Sequence, residues 1–433
     1  MSGRLEPASG VVEETPRLRT SRIYYSGAES LCKLRPDFTM SETSVTALTG
    51  YLDNLTAEEE AKLQEAWAHL LRLCGVEGSD KLPPADRTGE LRERHLEPAG
   101  LESAAVFRER LWSFILADEP DVLVLRFLRA RKWDVDRAVA MLASAVGWRH
   151  ERRLEADVIR RGDAVGPGGP DAPADDGSFL AQYRSGKAYV RGSDRERRPV
   201  FVIRVRLHDP KLQSAEAMER FVLHNIETIR TTLRHPREKA CLLFDLTGFG
   251  LKNMDFHVVK FLVQVFEARY PEYLGVVLVH NAPFVFWGVW KVIRPWLDPV
   301  IASKINFTSG GADLARFIAP EELQTCFGGK DGWEYKYIEP VPGENDRVES
   351  EKKADVEAER DGLVRRFERL SVEWATLDAR SAEAKQTSAD RRKVAKQLSD
   401  AYWRLDPYVR ARTYYDRAGV LSSSGAVDYR AAQ

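Results

Sequence analysis

The sequence predicts an α/β protein: a helical N-terminal module, then a mostly parallel sheet with helices, with helical extensions at either end. Three observations carry this. Apolar residues recur at helical spacing between 104 and 160 and switch to strand-like runs beyond 180. A strand, a helix and a strand follow one another from Cys241 to His280, the order of a right-handed parallel crossover. Finally, the stretch Phe284–Trp296 has helical length but is apolar on almost every side.

Composition narrows the function classes. The chain has 433 residues and is 43% hydrophobic, enough for a large core. With 65 basic against 66 acidic residues there is no bulk charge for nucleic-acid binding. Cys32, Cys74, Cys241 and Cys326 lie far apart without a CxxC pair, which predicts reduced thiols in a cytoplasmic protein and no zinc site. No run reaches transmembrane length, so membrane contact is expected to be peripheral.

Residues 1–50 lack periodicity and are expected to be disordered. Met40 lies just ahead of the first organised element, and translation from it is one expectation. Thr56 and Glu59 form a capping-box pattern that opens a helix carrying Leu63, Trp67, Leu70 and Cys74 on one face, ended by Gly75. Gly, Pro and charges over 76–102 suggest a linker, so 51–103 reads as an accessory helix and linker. Residues 104–160 form the helical module, with Phe107, Leu111 and Phe114 in one helix and a pair broken near Trp133-Asp134. A Gly/Pro/Asp loop fills 161–179.

In the α/β part, 180–335, Lys187–Arg191 and Val200–Leu207 are predicted strands flanking a turn, and Ala215–Leu233 is a predicted helix. Cys241–Leu246 and Val276–His280 are strands around a helix marked by Phe256, Val259, Val263, Phe266 and Tyr270. Pro283 starts the apolar helix, Asp298-Pro299 stops it, and Lys304–Thr308 returns as a strand. Such a helix must be buried on most sides or spend time in an apolar medium. Residues 336–433 are a charged helical tail: Leu363, Phe367, Leu370 and Trp374 predict amphipathic helices packing on the body or a short coiled coil, with the last dozen residues loose.

Catalytic patterns are missing: no GxSxG, GxxxxGK[ST], HExxH or GxGxxG string occurs where it would act. The eight histidines show no metal-ligand spacing, so neither metal nor enzymatic activity is expected. Asp245 at a strand end suits a turn cap better than an active-site carboxylate.

Several ordered blocks carry a resemblance. LRFLRARKWDV (125–135), FDLTGF (244–249), YPEYLG (270–275), NAPFVF (281–286) and WLDPVIASKI (296–305) resemble the CRAL-TRIO lipid-transfer family, and within it the fungal phosphatidylinositol transfer proteins. The likeness covers about 105–335. It implies a sheet-floored lipid pocket under a mobile gate helix, with pocket and gate residues Phe244, Phe284, Phe286, Trp287, Val289, Trp290 and Ile293. It places headgroup contacts on Glu272, Lys304, Arg131 and Lys132, and implies no cofactor beyond a bound phospholipid, phosphatidylinositol being the expected one. The chemistry is consistent: a phosphodiester needs cations and ring hydroxyls need an acceptor. Each residue also has a plainer account: a helix C-terminus for Arg131-Lys132, an edge strand for Lys304, a structural ion pair for Glu272 with Lys304.

This chain departs from the family pattern at three positions. Ile301 replaces a threonine before the lysine, and Ala240 and Leu242 replace the hydroxyl residues of members that hold phosphatidylcholine. The resemblance therefore implies a lipid carrier acting transiently at membrane surfaces, with phosphatidylinositol as ligand and phosphatidylcholine a poor one. The competing expectations are a neutral hydrophobe such as squalene or a sterol precursor, a haem held by Tyr189, His208 or His224, or a lipid-sensing scaffold whose tail binds a protein partner.

Overall fold

The computed structural model describes residues 49–431 apart from 84–85, 102, 164–175 and 347–351. The expectations for residues 1–48, for Met40, for Cys32 and for most of the 161–179 loop lie outside the described residues.

The N-terminal module is helical. It comprises α1 (Ala57–Leu73), a single turn α2 (Thr88–Leu91), α3 (Ala104–Ile115), α4 (Pro120–Ala130) and α5 (Val135–Glu151). The predicted capping box forms: Thr56 N donates to Glu59 Oε2 at 2.9 Å and Glu59 N to Thr56 Oγ1 at 3.2 Å. The expected linker is instead a run of short helical turns that buries Leu82, Leu96 and Leu101. Single turns carry too few repeats to show a period in sequence.

The second layer holds α6 (Asp176–Arg184), then β1 (Ala188–Ser193) and β2 (Pro199–Arg204), α7 (Ala215–Thr232), β3 (Ala240–Asp245), α8 (Phe256–Ala268) and β4 (Leu274–His280). After these come α9 (Phe286–Ile293), α10 (Pro299–Ser303), β5 (Ile305–Thr308) and the turn α11 (Gly310–Leu314). Strand order is β1-β2-β3-β4-β5, with β1 antiparallel to β2 and every other pair parallel. The predicted strand to Leu207 stops at Arg204 and ends in a 3₁₀ turn over Val205–Leu207.

Alternation along the strands sorts residues to two faces. Val200, Val202, Cys241, Leu243, Val276 and Leu278 pack against Leu314, Ile318, Leu323 and Phe327. Phe201, Ile203, Leu242, Phe244, Val277 and Val279 face α7 and α8. The first face is packed against these side chains; the second lines a cavity.

The tail forms α12 (Lys353–Ala375), α13 (Ala382–Val409) and the turn α14 (Tyr414–Arg417). Both long helices pack on the body, and α12 lies against α1. Arg391 of α13 grips Asp121 of α4 at 2.7 and 2.9 Å, and Trp67 Nε1 donates to Asp121 at 2.6 Å. The C-terminal residues are not loose: Gly192 N donates to Tyr429 O at 2.9 Å, and Arg191 to Ala431 O at 2.8 Å. These are backbone acceptors, which no side-chain pattern advertises.

A buried ion network joins the layers. Glu227 of α7 accepts from Arg149 of α5 at 2.5 Å, from Arg230 at 2.8 Å and from the Tyr270 hydroxyl. Burial alone would raise the Glu227 carboxyl, yet the two guanidiniums hold it at about 2. Its contribution to stability is therefore complete above the unfolded-chain value of about 4.3 and is lost as pH falls towards 2. Glu227→Gln removes the carboxylate that pairs with the buried Arg230 and leaves Arg149 with Glu155 alone, and should cost about 3–5 kcal/mol. In chemical denaturation from pH 7 to 3, the variant should also show a shallower pH dependence than the parent. Equal stability of the two proteins at pH 7 contradicts the network's role.

Candidate functional site

The unfilled sheet face opens into a cavity of about 270 Å³. Phe201, Leu242, Phe244, Val277 and Val279 form its floor. Met218, Phe221, Val222, Ile226 and Ile229 of α7 make one wall, and Val258, Val259, Leu262 and Phe266 of α8 another. Phe286, Trp290 and Ile293 of α9 close it, continued by Leu297 and Ile301.

The closing helix is shorter than the predicted Phe284–Trp296: α9 proper is followed by a 3₁₀ turn at Arg294–Trp296. Nor is it buried on most sides. Phe286, Val289 and Ile293 are inside, next to Leu246, Phe249 and Val279. Phe284, Val285, Trp287 and Val292 are exposed, Phe284 to 93%. So the predicted gate residues divide: Phe244, Phe286, Trp290 and Ile293 line the cavity, Val289 packs beside it, Trp287 lies against Phe307 at 4.9 Å, and Phe284 points to solvent. The sequence shows the amount of apolar surface but not that half of it is left uncovered.

At one edge of the cavity stands a charged cluster. Glu272 Oε2 lies 2.9 Å from Lys239 Nζ, and Glu272 Oε1 lies 3.6 Å from Lys304 Nζ. Each of the three is the chain neighbour of a cavity-lining residue: Tyr273, Ala240 and Ile305. Burial would raise the Glu272 carboxyl, but Lys239 and Lys304 hold it below its usual range. Lys239, in closer contact, is raised despite burial; burial lowers Lys304, and the longer contact with Glu272 does not restore it. Lys304 is thus the ammonium with spare donors and the weaker hold.

The helical module sets this cluster in place. Arg126 of α4 donates to Glu238 O at 2.7 Å and to Glu272 O at 3.2 Å, and lies 3.9 Å above the Tyr273 ring. Arg129 reaches Glu238 Oε2 at 2.9 Å and Gly50 O at 2.8 Å. Glu272 has φ 62°, a left-handed conformation costing about 1–3 kcal/mol outside glycine and kept only where the surroundings impose it. The structure thus joins Glu272 and Lys304 and adds Lys239, which sequence reasoning missed. It does not join Arg131 or Lys132 to them: Arg131 donates to Ala130 O at 3.3 Å, and Lys132 is exposed at φ 53°.

Ala240 and Leu242 line the cavity as hydrocarbon. Of the three candidate haem ligands, Tyr189 sits on the opposite face of the sheet, and His224 bonds the Tyr183 hydroxyl inside the core. His208 lines the cavity but holds Lys187 at 3.0 Å and Asp255 at 3.1 Å. Asp245 caps its turn, accepting from Thr247 N at 3.0 Å, and pairs with Arg206 at 2.8 Å. Among the described residues no helix is long and apolar enough to cross a membrane, and no cluster of three metal-ligating side chains occurs.

A hydrocarbon cavity with a charged edge, closed by one half-exposed helix, defines a lipid-binding protein. Comparison with known proteins agrees. The CRAL/TRIO domain matches residues 183–329 and its N-terminal domain residues 79–144. The phosphatidylinositol transfer protein CSR1 of Eremothecium gossypii is 38% identical, over 87% of this chain and 99% of that protein. A CRAL-TRIO domain-containing protein of Schizosaccharomyces pombe is 34% identical, over 85% of this chain and 91% of that one. The crystal structure of Sfh5 aligns with TM-score 0.42 at 16% identity, covering 64% of this chain and 88% of that chain. The chain belongs to the CRAL/TRIO domain family.

A cavity kept open for ligand tolerates filling. Leu242→Trp, at a 6% exposed floor position, should shift the melting temperature by only a few degrees while excluding lipid. Calorimetry and extraction of co-purifying lipid check both; a large drop in melting temperature with lipid retained shows a packed floor.

Proposed function

We propose that the protein takes phosphatidylinositol out of one membrane, carries its acyl chains in the cavity and delivers or presents it at another. The observation that carries this reading is Glu272 held between two ammoniums at the edge of an otherwise apolar cavity. Lys304 and Lys239 supply cations for the phosphodiester, and Glu272 accepts from inositol hydroxyls. Choline offers no hydroxyls to Glu272, and Ala240 and Leu242 offer no donors to its phosphate. The relative named as a phosphatidylinositol transfer protein supports the same ligand.

The physical need is a lowered barrier. Each acyl CH₂ drawn into water costs about 0.8 kcal/mol, so a two-chain lipid leaves a bilayer slowly unaided. The outer side of α9 suits contact with a membrane surface: Phe284, Val285, Trp287 and Val292 are exposed with Lys291 and Arg294 among them. When that side enters the interface, the inner side can part from Leu246 and Phe249 and open the cavity. The protein would then act in the cytoplasm with transient membrane contact.

Transfer of labelled lipid between donor and acceptor vesicles tests this. Phosphatidylinositol should move at least tenfold faster than phosphatidylcholine. A Phe284→Asp, Trp287→Asp variant should lose most transfer and vesicle binding yet keep its bound lipid. Equal rates for the two lipids refute the headgroup assignment, and full transfer by the variant refutes the gate's membrane contact.

A further inference from the structure

A turn at 50–54, ahead of α1, lies against the charged edge of the cavity. Asn54 N donates to Tyr51 O at 2.8 Å and Gly50 N to Asn54 O at 3.2 Å, which folds the turn on itself. Cations from three parts of the chain hold it. Arg129 of α4 donates to Gly50 O at 2.8 Å. Arg392 of α13 donates to Leu52 O at 2.6 Å and to Asp53 Oδ1 at 3.2 Å. His235, in the loop between α7 and β3, meets Asp53 Oδ2 through Nε2 at 2.6 Å.

The turn presents Tyr51 to the cluster. The Arg129 guanidinium lies 4.3 Å from the centre of the Tyr51 ring, and the Lys239 ammonium 5.5 Å from it. Burial lowers the Lys239 ammonium, but Glu272 and then the Tyr51 hydroxyl, a hydrogen-bond partner, raise it above its usual value. Lys239 thus has two oxygen partners, the Glu272 carboxylate at 2.9 Å and the phenol. An ammonium has three donors, so these two directions fix where the third points.

His235 governs the hold on the turn. Its Nδ1 faces Glu238 Oε1 at 3.1 Å while Nε2 faces Asp53. Two carboxylates on two ring nitrogens require both nitrogens to donate, so the ring is an imidazolium. Burial opposes that charge, but Glu238 and Asp53 outweigh it and raise the ring above its usual value. The other charges here are Arg129 on Glu238 Oε2 at 2.9 Å, Arg126 on Glu238 O at 2.7 Å and Arg392 on Asp53, with Arg234 and Arg237 flanking the ring in sequence. A neutral imidazole has one proton to donate. The Glu238 carboxylate is fully buried and that of Asp53 65% exposed, so the proton stays on Nδ1, where its loss would leave a buried acceptor short of a donor. Deprotonation therefore releases Asp53 from His235 and loosens the turn.

We propose that Tyr51 is a positioning residue of the headgroup edge: its hydroxyl aims the Lys239 ammonium at Glu272 and at a bound phosphodiester, and the charged His235 holds in place the turn that carries it. The proposal rests on reading this edge as the headgroup site. Its pH dependence has a fixed sign. The His235 contact is complete below the unfolded-chain value of about 6.5 and is lost as pH rises through the higher folded value.

The delipidated full chain is incubated with vesicles of phosphatidylinositol and phosphatidylcholine in equal amounts, re-isolated, and its lipids are quantified by mass spectrometry at several pH values from about 6 to 9. The wild type should hold phosphatidylinositol over phosphatidylcholine at least tenfold at the acid end, and this ratio should fall at least threefold towards the alkaline end. His235→Gln should give the lower ratio throughout. Tyr51→Phe keeps the ring beside Arg129 and removes only the oxygen; it should lower the acid-end ratio at least threefold with melting temperature and total lipid uptake unchanged. A Tyr51→Phe ratio equal to the wild type's, or one that falls only together with total uptake, overturns the positioning role. The same pH dependence in wild type and His235→Gln overturns the part given to His235. If the wild type shows no preference at any pH, the headgroup reading itself falls; if it prefers phosphatidylinositol and Tyr51→Phe does so equally, that reading stands and only Tyr51 loses its role.

Discussion

A cavity walled by hydrocarbon collapses unless its walls are held from behind, and in this protein buried arginines do the holding. Interiors close-pack wherever side chains are free to move. Glu227, Arg149, Arg230 and Tyr270 lock α7 to α5, so that wall of the cavity cannot slide onto the sheet. Arg230 also reaches the Tyr273 hydroxyl at 3.1 Å and Phe114 O at 2.6 Å, tying the same wall to β4's approach and to α3. The module at the N-terminus is in this sense the frame of the pocket. Its own position is secured in turn by Arg391 from the tail, paired with Asp121 and lying 4.1 Å from the Trp374 ring. Tail, module and pocket form a mechanical series.

The charged edge follows from the same frame. Arg126 grips two carbonyls, those of Glu238 and Glu272, and so brings Lys239 and Glu272 together from loops far apart in sequence. Glu272 then sits between two ammoniums at unequal distances. Both ammoniums hold the carboxylate charged, and the contact to Lys304 is the longer of the two. In the proposed function this cluster is where the headgroup binds.

Much of this was legible in the chain because it rests on periodicity and composition. Strands of alternating apolar residues, the capping box at Thr56, and the density of aromatics in α9 are local signals. The resemblance located Glu272 and Lys304 through motif blocks. What escaped was set by tertiary pairing. Lys239 reads as a surface lysine before a strand until Glu272, distant in sequence, is placed beside it. Arg126 and Arg129 stand in the same block as Arg131 and Lys132, and only the helix's rotation shows that the first two face the site. Lys187 looks like the solvated start of a strand, although it is buried, and burial lowers its ammonium to about 8. The chain after 420 and the turns of 76–102 were unreadable because backbone carbonyls and single turns hold them.

The measurement that bears most directly on the central claim is native mass spectrometry of the lipids retained by wild type, Lys304→Ala and Lys239→Ala–Glu272→Ala proteins. Phosphatidylinositol retained by the wild type and lost from both variants, with each variant still folded, is the result this account predicts. Phosphatidylinositol retained equally by all three would mean that the charged edge is a structural ion cluster and that the headgroup is held elsewhere.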